Sequence, residues 1–427
     1  MSNTSADKIS QAGDVDVREV TLISSKGFAQ TITPQVVGIE VFEDIFSTFI
    51  TGILTIRDSQ ELSNLLPLVG EEIVRIEFAT PSLPADQAYR GEYYIYKMDN
   101  RTKTAEREVV YNLHFISKEA IVDLNKKVSK AYSGTPSEII TSICTDKQWG
   151  LETGKQLFVE NTNNKIKYIS NYWAPTQNIQ YVCDHALNAS NSPSMIFFEN
   201  KYGFSFVALE SLYTAGGLKQ RFVWNNHVAD VNPSGGSSRN LDKDYQKVIE
   251  LETPMSFNYM DRLKSGMYGS ELITYDIMTQ QYTHLGYKPV FSEHKHLNAN
   301  PPWSEKIVAR TKSVIIDGRK YYNNFEGFGD VTNTRYIQKR KSLLAQAESY
   351  KVIITVFGRS DYSVGQRVLL EVPKTTQIKA GDTDVNDNVM SGVYLIAAIC
   401  HVVDSEAKSH TCVVELIKES FVVNLNA

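Results

Sequence analysis

One pair of histidines in this sequence has a spacing that suits metal binding. His294 and His296 flank Lys295 and follow Glu293. On a strand, residues two positions apart point to the same side, so both imidazoles would face one ion. No cysteine and no third histidine lies close by, and a soft metal site needs more such ligands. The sequence therefore favours the alternative, a polar surface loop.

A second group, Cys183, Asp184 and His185, places a nucleophile, an acid and a base in consecutive positions. Nucleophilic catalysis needs the base within hydrogen-bond reach of the nucleophile. The surrounding pattern predicts a helix, and consecutive helical side chains point in different directions. These three residues therefore cannot form a triad with one another. Because Cys183 falls on the apolar face of this helix, we interpret it as a core residue.

The remaining sequence offers little recognisable chemistry. It contains no phosphate-binding, dinucleotide-binding, zinc-protease or nucleophile-elbow motif. Its acidic residues are scattered, and no pair of them stands out for glycoside hydrolysis. The basic run Lys339-Arg340-Lys341 favours a solvated helix face over a phosphate site. We therefore predict no catalytic residues, no cofactor-binding residues and no metal site.

Composition narrows the class of protein. The chain has 427 residues, enough for two to four domains, and 42% of them are hydrophobic, as in ordinary soluble globular proteins. The net charge of −5 and the lack of a basic block argue against nucleic-acid binding through phosphates. No signal peptide and no membrane span of about 18 apolar residues is expected. The cysteines are expected to be free and buried, although Cys400 and Cys412 face each other across the last predicted hairpin.

The elements follow from hydrophobic periodicity. Ile50, Leu54 and Ile56 fall on one face of a strand that ends at Asp58, and a short helix is predicted to follow Asp58. Strands are predicted at about 18–24, 30–42, 49–57, 72–78, 91–98 and 107–117. After residue 119 the period changes to that of amphipathic helices, first at 120–131 with Ile121, Leu124 and Val128 on the apolar face, then after the capping sequence Thr135-Pro-Ser-Glu. Thr176 is predicted to cap a further helix.

One ordered set of strands and turns occurs twice. The Val69-Gly70 turn and the Gly91-Glu-Tyr-Tyr-Ile strand are matched by Val364-Gly365 and Gly392-Val-Tyr-Leu-Ile. Each set is followed by a polar turn and a strand that begins with Val-Val and ends with Lys-Glu. The repeated order predicts a duplicated β domain.

The predicted fold is α+β and mainly β, divided as follows. Residues 1–17 form a flexible N-terminus, 18–118 the first β domain, 119–212 an α+β domain, 213–283 with 346–419 the second β domain, 284–345 an inserted domain and 420–427 a C-terminal tail. The helix predicted at 334–350 directs Ile337, Leu344 and Ala347 inward.

Several stretches together carry a resemblance to a known family. They are Thr51-Gly-Ile-Leu-Thr-Ile-Arg-Asp-Ser59 with Pro67-Leu-Val-Gly-Glu-Glu72, Trp173-Ala-Pro-Thr176 with Phe197-Phe-Glu-Asn200, Gly203-Phe204 and Phe206, Met267-Tyr-Gly-Ser270 with Thr274-Tyr-Asp276, and Val364-Gly365 with the final hairpin. In this order they resemble the central baseplate hub protein of contractile-tailed phages. That family is similar to the N-terminal hub portion of the VgrG spike of type VI secretion.

The resemblance implies a non-enzymatic assembly protein without a cofactor. It implies two antiparallel β-barrel domains with the fold of the tail-tube subunit, joined by smaller α+β domains. Three chains would form a pseudo-six-fold ring between the six-fold tail tube and the three-fold central spike, in contact with other baseplate proteins. DNA would pass through the ring without specific binding. The protein would belong to the virion tail and be assembled in the host cytoplasm. Residues 284–332 depart from the family pattern.

Two other functions stay open on the sequence. One is a hub-linked cell-wall hydrolase, which would show a constellation of catalytic carboxylates in a cleft. The other is the hub part of a type VI secretion-like spike. A full spike of that kind would continue into a regular β-helix repeat, which is not seen before Ala427.

Overall fold

The computed structural model describes residues 11–60, 68–105, 107–224, 241–255, 257–276, 280–310, 313–317, 336–375 and 385–424. Most of the strands belong to one large, mainly antiparallel sheet, and three smaller sheets accompany it. The prediction of a mainly β, α+β chain is confirmed. The helix predicted after Asp58 falls on 61–67, outside the described residues.

The first β unit is a run of seven strands. They are β1 (Asp16–Ile23), β2 (Ala29–Thr31), β3 (Val36–Asp44), β4 (Thr51–Asp58), β5 (Ile73–Ala79), β6 (Tyr89–Ala105) and β7 (Glu108–Ser117). They pair antiparallel in the order β3-β4-β7-β6-β5-β1-β2. The predicted apolar faces close the core of this unit, because Ile50, Leu54, Ile56, Val74 and Ile76 are all buried.

The second β unit collects six strands from the rest of the chain. They are β13 (Gln220–Val223), β14 (Val248–Met255), β18 (Tyr350–Phe357), β19 (Arg367–Glu371), β20 (Gly392–Asp404) and β21 (Ser409–Lys418). They pair in the order β14-β18-β21-β20-β19-β13. We number the six strands of each unit by their place in the sequence, leaving out the short β2. Across the sheet, both units then have the order second, third, sixth, fifth, fourth, first. One pairing differs in direction, since β1 is antiparallel to β5 and β13 is parallel to β19.

The two units also share irregularities at equivalent positions. The second strand of each is bulged, between Val36 and Gly38 in β3 and between Val248 and Glu250 in β14.

The fifth strands are bulged as well, between Ile95 and Lys97 in β6 and between Ile396 and Ala398 in β20. Gly70 and Gly365, in the matched Val-Gly turns, have φ values of 97° and 82°, a conformation that favours glycine.

The α+β unit lies between the two β units in sequence. It comprises α1 (Lys118–Asn125), β8 (Ala131–Gly134), α2 (Pro136–Thr145), β9 (Leu157–Val159), β10 (Ile166–Ile169), α3 (Pro175–His185), β11 (Met195–Asn200), β12 (Gly203–Ala208) and α4 (Leu209–Thr214). The predicted cap of α2 is confirmed, since Thr135 and Glu138 form a reciprocal capping box. The predicted hairpin is β11 and β12, which pair from Met195↔Ala208 to Asn200↔Gly203.

Two helix predictions in this unit need correction. Helix α1 ends at Asn125 rather than continuing to residue 131, and Leu124, predicted on its apolar face, is 76% exposed. Helix α3 begins one residue before Thr176. Thr176 instead donates hydrogen bonds to Asp123 from its backbone and its hydroxyl, at 2.7 and 2.8 Å. A tertiary contact has therefore replaced the local cap.

A smaller three-stranded unit is inserted before β18. It contains α6 (Tyr259–Ser265), β15 (Ser270–Asp276), β16 (Gln281–Tyr287), α7 (Glu305–Arg310), β17 (Ser313–Asp317) and α8 (Ile337–Ala347), and α5 (Leu241–Gln246) precedes β14. Its strand order is β16-β15-β17. The predicted boundary at residue 283 is wrong, because β15 and β16 pair within this small sheet and not with the second β unit.

The chain ends differ from the predicted flexible N-terminus and the predicted C-terminal tail. Residues 1–10 and 425–427 lie outside the described residues. Asp14 bridges to Ser409 in the last hairpin, and Val15 is buried. Near the other end Phe421 is buried and bridges to Asn300. The described parts of both predicted tails are thus packed against the body of the protein.

Candidate assembly surfaces

One ladder joins the two β units into a continuous sheet. Strand β20 pairs antiparallel with β3, from Ala398↔Asp44 to Asp404↔Gly38. The first part of β20 pairs with β19, so the bulge after Ile396 marks the place where β20 leaves β19 and reaches β3. The fifth strand of the second unit therefore extends the first unit at its second strand.

A buried carboxylate, Glu43, lies where three parts of the chain meet. It accepts hydrogen bonds from the backbone N–H of Lys201 (3.0 Å), from the Ser363 hydroxyl (2.7 Å) and from the backbone N–H of Val364 (3.2 Å). Burial raises the pKa of Glu43 to about 7, and the hydrogen bonds from Ser363 and Val364 oppose that rise. Glu43 thus connects the first β unit to the α+β unit and to the second β unit.

A second buried cluster fixes the α+β unit to the first β unit. The ammonium of Lys155 lies 2.8 Å from Glu119 Oε2 and 2.5 Å from Glu199 Oε1. The other oxygen of Glu199 accepts hydrogen bonds from the backbone of Ile50 (3.0 Å) and from Ser117 Oγ (2.5 Å). Burial raises the pKa of Glu199, and the Lys155 charge opposes that rise. Each buried charge has a partner, which keeps the cost of desolvation low enough for a fixed junction.

Two of the strand edges that lack a ladder partner among the described residues belong to β6 and β14. Strand β6 pairs with β5 only as far as Tyr94, so its end, at 97–105, pairs on one side alone, with β7. Strand β14 pairs only with β18. Unpaired edges of this kind are templates for strand addition.

The charges along these two edges are opposite. Arg101 and Lys103 are exposed near the end of β6, and Glu250 and Glu252 are exposed on β14. In each pair the residues are two positions apart, so both members of a pair lie on the same face of their strand. The edges are therefore complementary in sign as well as in hydrogen-bonding capacity.

No protein-family model and no curated protein matches this sequence. Solved structures do match its fold. A tail protein from Neisseria meningitidis aligns with a TM-score of 0.57 at 8% identity, over 94% of this chain and 96% of that one. The 43 kDa tail protein of prophage MuSo2 from Shewanella oneidensis aligns with a TM-score of 0.55 at 11% identity, over 94% and 98% of the two chains. A prophage tail protein from Listeria monocytogenes gives 0.50 at 9% identity, over 93% and 94%.

This chain has the fold of phage tail proteins. The match spans nearly the whole of both chains, so it includes the inserted unit as well as the large sheet. The structural side of the predicted resemblance is confirmed. Within the described residues, no helix has the length and apolar composition needed to cross a membrane.

The histidine pair singled out in the sequence is not on an exposed loop, so that interpretation is wrong. The side chains of His294 and His296 are 5% and 8% exposed. His294 Nδ1 lies 2.8 Å from Glu210 Oε1, and His296 Nδ1 lies 3.2 Å from Glu419 Oε1. Each imidazole therefore has its own carboxylate partner, and the pair links the inserted unit to α4 and to the end of β21.

The second predicted group behaves as expected. Cys183 is buried in the core of the α+β unit, and Cys144, Cys400 and Cys412 are also free thiols. His185 Nδ1 lies 2.8 Å from the backbone oxygen of Tyr181, one helical turn earlier. The residues of the Cys-Asp-His sequence therefore contact different neighbours.

The basic run of α8 is only partly solvated, contrary to the prediction. Arg340 is 6% exposed. Its guanidinium donates to Asp184 Oδ1 at 3.0 Å and to the carbonyl oxygens of Pro193 and Met195 at 2.7 and 2.8 Å. Arg340 therefore connects α8 to the α+β unit, because a guanidinium offers several donors in one plane.

Sequence reasoning missed the charged residues at the junctions. Glu43 and Glu199 each interrupt or end an apolar strand, in Val-Phe-Glu-Asp-Ile and Ile-Phe-Phe-Glu. A lone carboxylate in such a run signals a buried partner, because an unpaired buried charge is costly. The partners themselves lie far away in sequence, so the signal identifies one side of each contact only.

Proposed function

We propose that this chain is a structural subunit of the baseplate hub of a contractile phage tail. The observation that carries the proposal is the continuous sheet of two β units with the same strand order, joined by β20 and β3 and open at two complementary edges. The fold of phage tail proteins supports it. Residues 18–118 and 213–255 with 346–419 are the two tube-like domains in this proposal, and residues 119–212 and the inserted unit at 257–345 are additions to them.

Three chains join head to tail into a ring. Inside one chain, the fifth strand of the second unit pairs with the second strand of the first unit. The equivalent contact between chains pairs β6, the fifth strand of the first unit in one copy, with β14, the second strand of the second unit in the next copy. A ring of three chains then has three β20–β3 contacts within chains and three β6–β14 contacts between chains, and it closes.

The register of the new contact follows from the bulges. Aligning the bulge after Ile95 in β6 on that of β20, and the first bulge of β14 on that of β3, transfers the observed pairs Val402↔Glu40 and Val403↔Ile39 to the new edge. Strand β6 has one extra residue at a second bulge, between Asp99 and Thr102, which moves its register along by one. The pair equivalent to Val402↔Glu40 is therefore Thr102↔Glu252, and the pair equivalent to Val403↔Ile39 is Lys103↔Leu251.

Such a ring presents six tube-like domains to a six-fold tail tube and three equivalent sites to a three-fold central spike. Its proposed partners are a second and third copy of this chain, the tube and spike proteins, and other baseplate proteins. The assembly takes place in the host cytoplasm and ends in the virion tail.

The faces of the first unit that point away from its core suit a channel for DNA. Arg75 lies 2.9 Å from Glu92, and Arg90 lies 3.0 Å from Glu77. Arg57 is paired with carboxylates too. Paired guanidinium groups form no basic stripe, so the counterion release that drives DNA binding gains little here. DNA can therefore pass without specific binding.

Disulfide trapping tests the contact between chains. The variant Thr102→Cys/Glu252→Cys places two exposed thiols opposite each other, and directly opposed antiparallel residues have Cα atoms about 4.5–5.5 Å apart, within disulfide range. Oxidation of the concentrated protein is expected to give covalent dimers and trimers that a thiol reductant reverses. Transient contacts suffice, because each disulfide accumulates once it has formed.

The matched control shifts one cysteine out of register. Thr102→Cys/Ile249→Cys moves the second thiol by three positions along the same exposed edge and is expected to stay largely monomeric, as are the single variants. Equal trapping in both double variants, or none in either, would overturn the proposed contact.

We propose that the chain has no catalytic activity and needs no cofactor for assembly. The buried carboxylates Glu43, Glu119 and Glu199 are engaged with protein groups and serve as junctions. The test is incubation of the purified protein with peptidoglycan, which is expected to release no soluble fragments. Release that disappears on replacement of one carboxylate would favour the hydrolase alternative.

A further inference from the structure

Two histidines and a cysteine converge inside the last hairpin. His401 lies on β20, His410 and Cys412 lie on β21, and none of the three is exposed. His401 Nδ1 lies 3.0 Å from His410 Nε2, and Cys412 Sγ lies 3.4 and 3.5 Å from these two nitrogens. The two imidazoles and the thiol therefore each direct one possible metal-ligand atom toward a shared centre.

The triangle they form has the dimensions of a zinc site. With Zn–N distances of about 2.0–2.1 Å and a Zn–S distance of about 2.3 Å, tetrahedral ligand atoms stand roughly 3.3–3.6 Å apart. The observed separations, 3.0 to 3.5 Å, are near these values. An ion slightly above the plane of the three atoms reaches all of them without movement of the backbone.

Packing against the first β unit fixes both rings. Phe78 packs edge-on against His410 at a centroid distance of 5.5 Å, and Tyr89 lies 5.6 Å from His401. Gly358, below the His410 ring, leaves room for it, since a Cβ at that position would overlap the ring. The ligand side chains are thus held in place before any ion binds, which lowers the entropic cost of binding.

On the far side of its ring, His410 Nδ1 is buried and has no hydrogen-bond partner within the described part of the chain. A buried polar group without a partner is costly, so two imidazoles and a thiol are an expensive way to fill an apolar core. Metal–ligand bonds to the near-side atoms would supply free energy that offsets this cost.

We propose that His401, His410 and Cys412 bind one divalent metal ion, with zinc as the best match, through Nδ1, Nε2 and Sγ. The thiol proton leaves to solvent as the metal–thiolate bond forms, and a water molecule completes the tetrahedron. Three protein ligands and a water are the ligand count of catalytic zinc sites, but these ligands are fully buried and out of reach of a substrate, so we assign the site a structural role. It fixes the last hairpin against Phe78 and Tyr89 of the first β unit. It does not depend on the proposed place of the chain in a tail.

Metal analysis of the full-length wild-type protein is the direct test. Protein made in zinc-supplemented medium and dialysed against metal-free buffer is expected to retain one zinc per chain. Replacement of zinc by Co²⁺ is expected to give visible bands of tetrahedral cobalt together with a near-ultraviolet thiolate-to-cobalt absorption. The proposal would be overturned if the wild-type protein held less than about one zinc ion per ten chains and showed no such absorption on addition of Co²⁺.

Two variants separate this site from adventitious binding. Cys412→Ala is expected to lose the thiolate-to-cobalt absorption and to bind zinc at least about tenfold more weakly. Cys144→Ala removes an equally buried thiol in the α+β unit and is expected to keep both properties. Zinc should also raise Tm, and a chelator lower it, in the wild type and the control only. Retention of the zinc and the absorption by Cys412→Ala would show that other residues hold the ion.

Discussion

At the scale of single residues, the junctions between units depend on a few buried charges. Glu43 joins three parts of the chain through three hydrogen bonds, and Arg340 joins α8 to the α+β unit. Such contacts give direction and specificity, because the buried charge is satisfied in one arrangement only. The relative placement of the two β units therefore depends on residues outside the hydrophobic cores.

Glu43 predicts a particular dependence of stability on pH. Its pKa in the folded protein is raised by burial to about 7, from a value of 4.5 in the absence of the fold. A raised pKa means that the stabilising contribution is complete below about pH 4.5 and is lost as the pH rises through 7. We expect this residue alone to reduce the free energy of unfolding by up to about 3 kcal/mol between pH 5 and pH 8.

The variant Glu43→Gln removes this titration, so its unfolding midpoint in urea should fall less between pH 5 and pH 8 than that of the wild type. Glu40→Gln, on the same strand but half-buried, is the control and should keep the wild-type difference. Identical pH profiles for the wild type and Glu43→Gln would contradict the assignment of the slope to this junction.

At the scale of elements, close packing between neighbouring strands restricts which residue types fit at some positions. Gly52 in β4 stands opposite Phe115 in β7, and the aromatic ring lies over the glycine. A Cβ at Gly52 would overlap both the Phe115 ring and the carbonyl oxygen of Glu40. The backbone of β3 and a core aromatic therefore fix the residue type at this position.

The substitution Gly52→Ala is expected to destabilise the first β unit by roughly 1–3 kcal/mol, the usual cost of overpacking a core. A lower Tm in calorimetry is the measurement. Gly217→Ala serves as the control, because the space around Gly217 is open and its backbone is not in the left-handed region. Similar Tm values for the two variants would show that the sheet relaxes around the added methyl group.

At the scale of the whole molecule, one chain contains two units with the same strand order. Strand β20 meets β3 within the chain, and β6 and β14 are the edges proposed to meet between chains. In the proposed hub, a three-fold assembly of such chains would have a surface close to six-fold symmetry. Such a surface would match a six-fold tube to a three-fold spike.

The assembled tail provides the corresponding test. Electron cryomicroscopy of particles that contain this protein is expected to show three copies in one ring, with β6 hydrogen-bonded to β14 of the next copy and a channel wall of neutral and paired side chains. Any other copy number, or an inner wall dominated by lysine and arginine, would refute the proposed ring. Monomers of the isolated protein are compatible with it, since the spike can nucleate assembly.

The sequence alone determined the features that arise from local periodicity. The strands of the first β unit, the capped helix at Thr135 and the hairpin at Met195–Ala208 were predictable, because each repeats apolar residues at the period of its own element. The matched glycine turns and Gly-x-Tyr-x-Ile strands also pointed to two similar β units. These signals lie within short stretches and need no knowledge of distant contacts.

Only the tertiary structure decided which residues meet. Leu124 is exposed and Arg340 is buried, against their helical pattern, because the neighbours of a helix rather than its composition fix its buried face. His294 and His296, two positions apart in sequence, have separate carboxylate partners, whereas His401, His410 and Cys412 converge through hairpin register. Strand β15 joined the inserted sheet for the same reason. Such choices depend on free-energy differences between alternative pairings of distant segments, which no local pattern in the chain encodes.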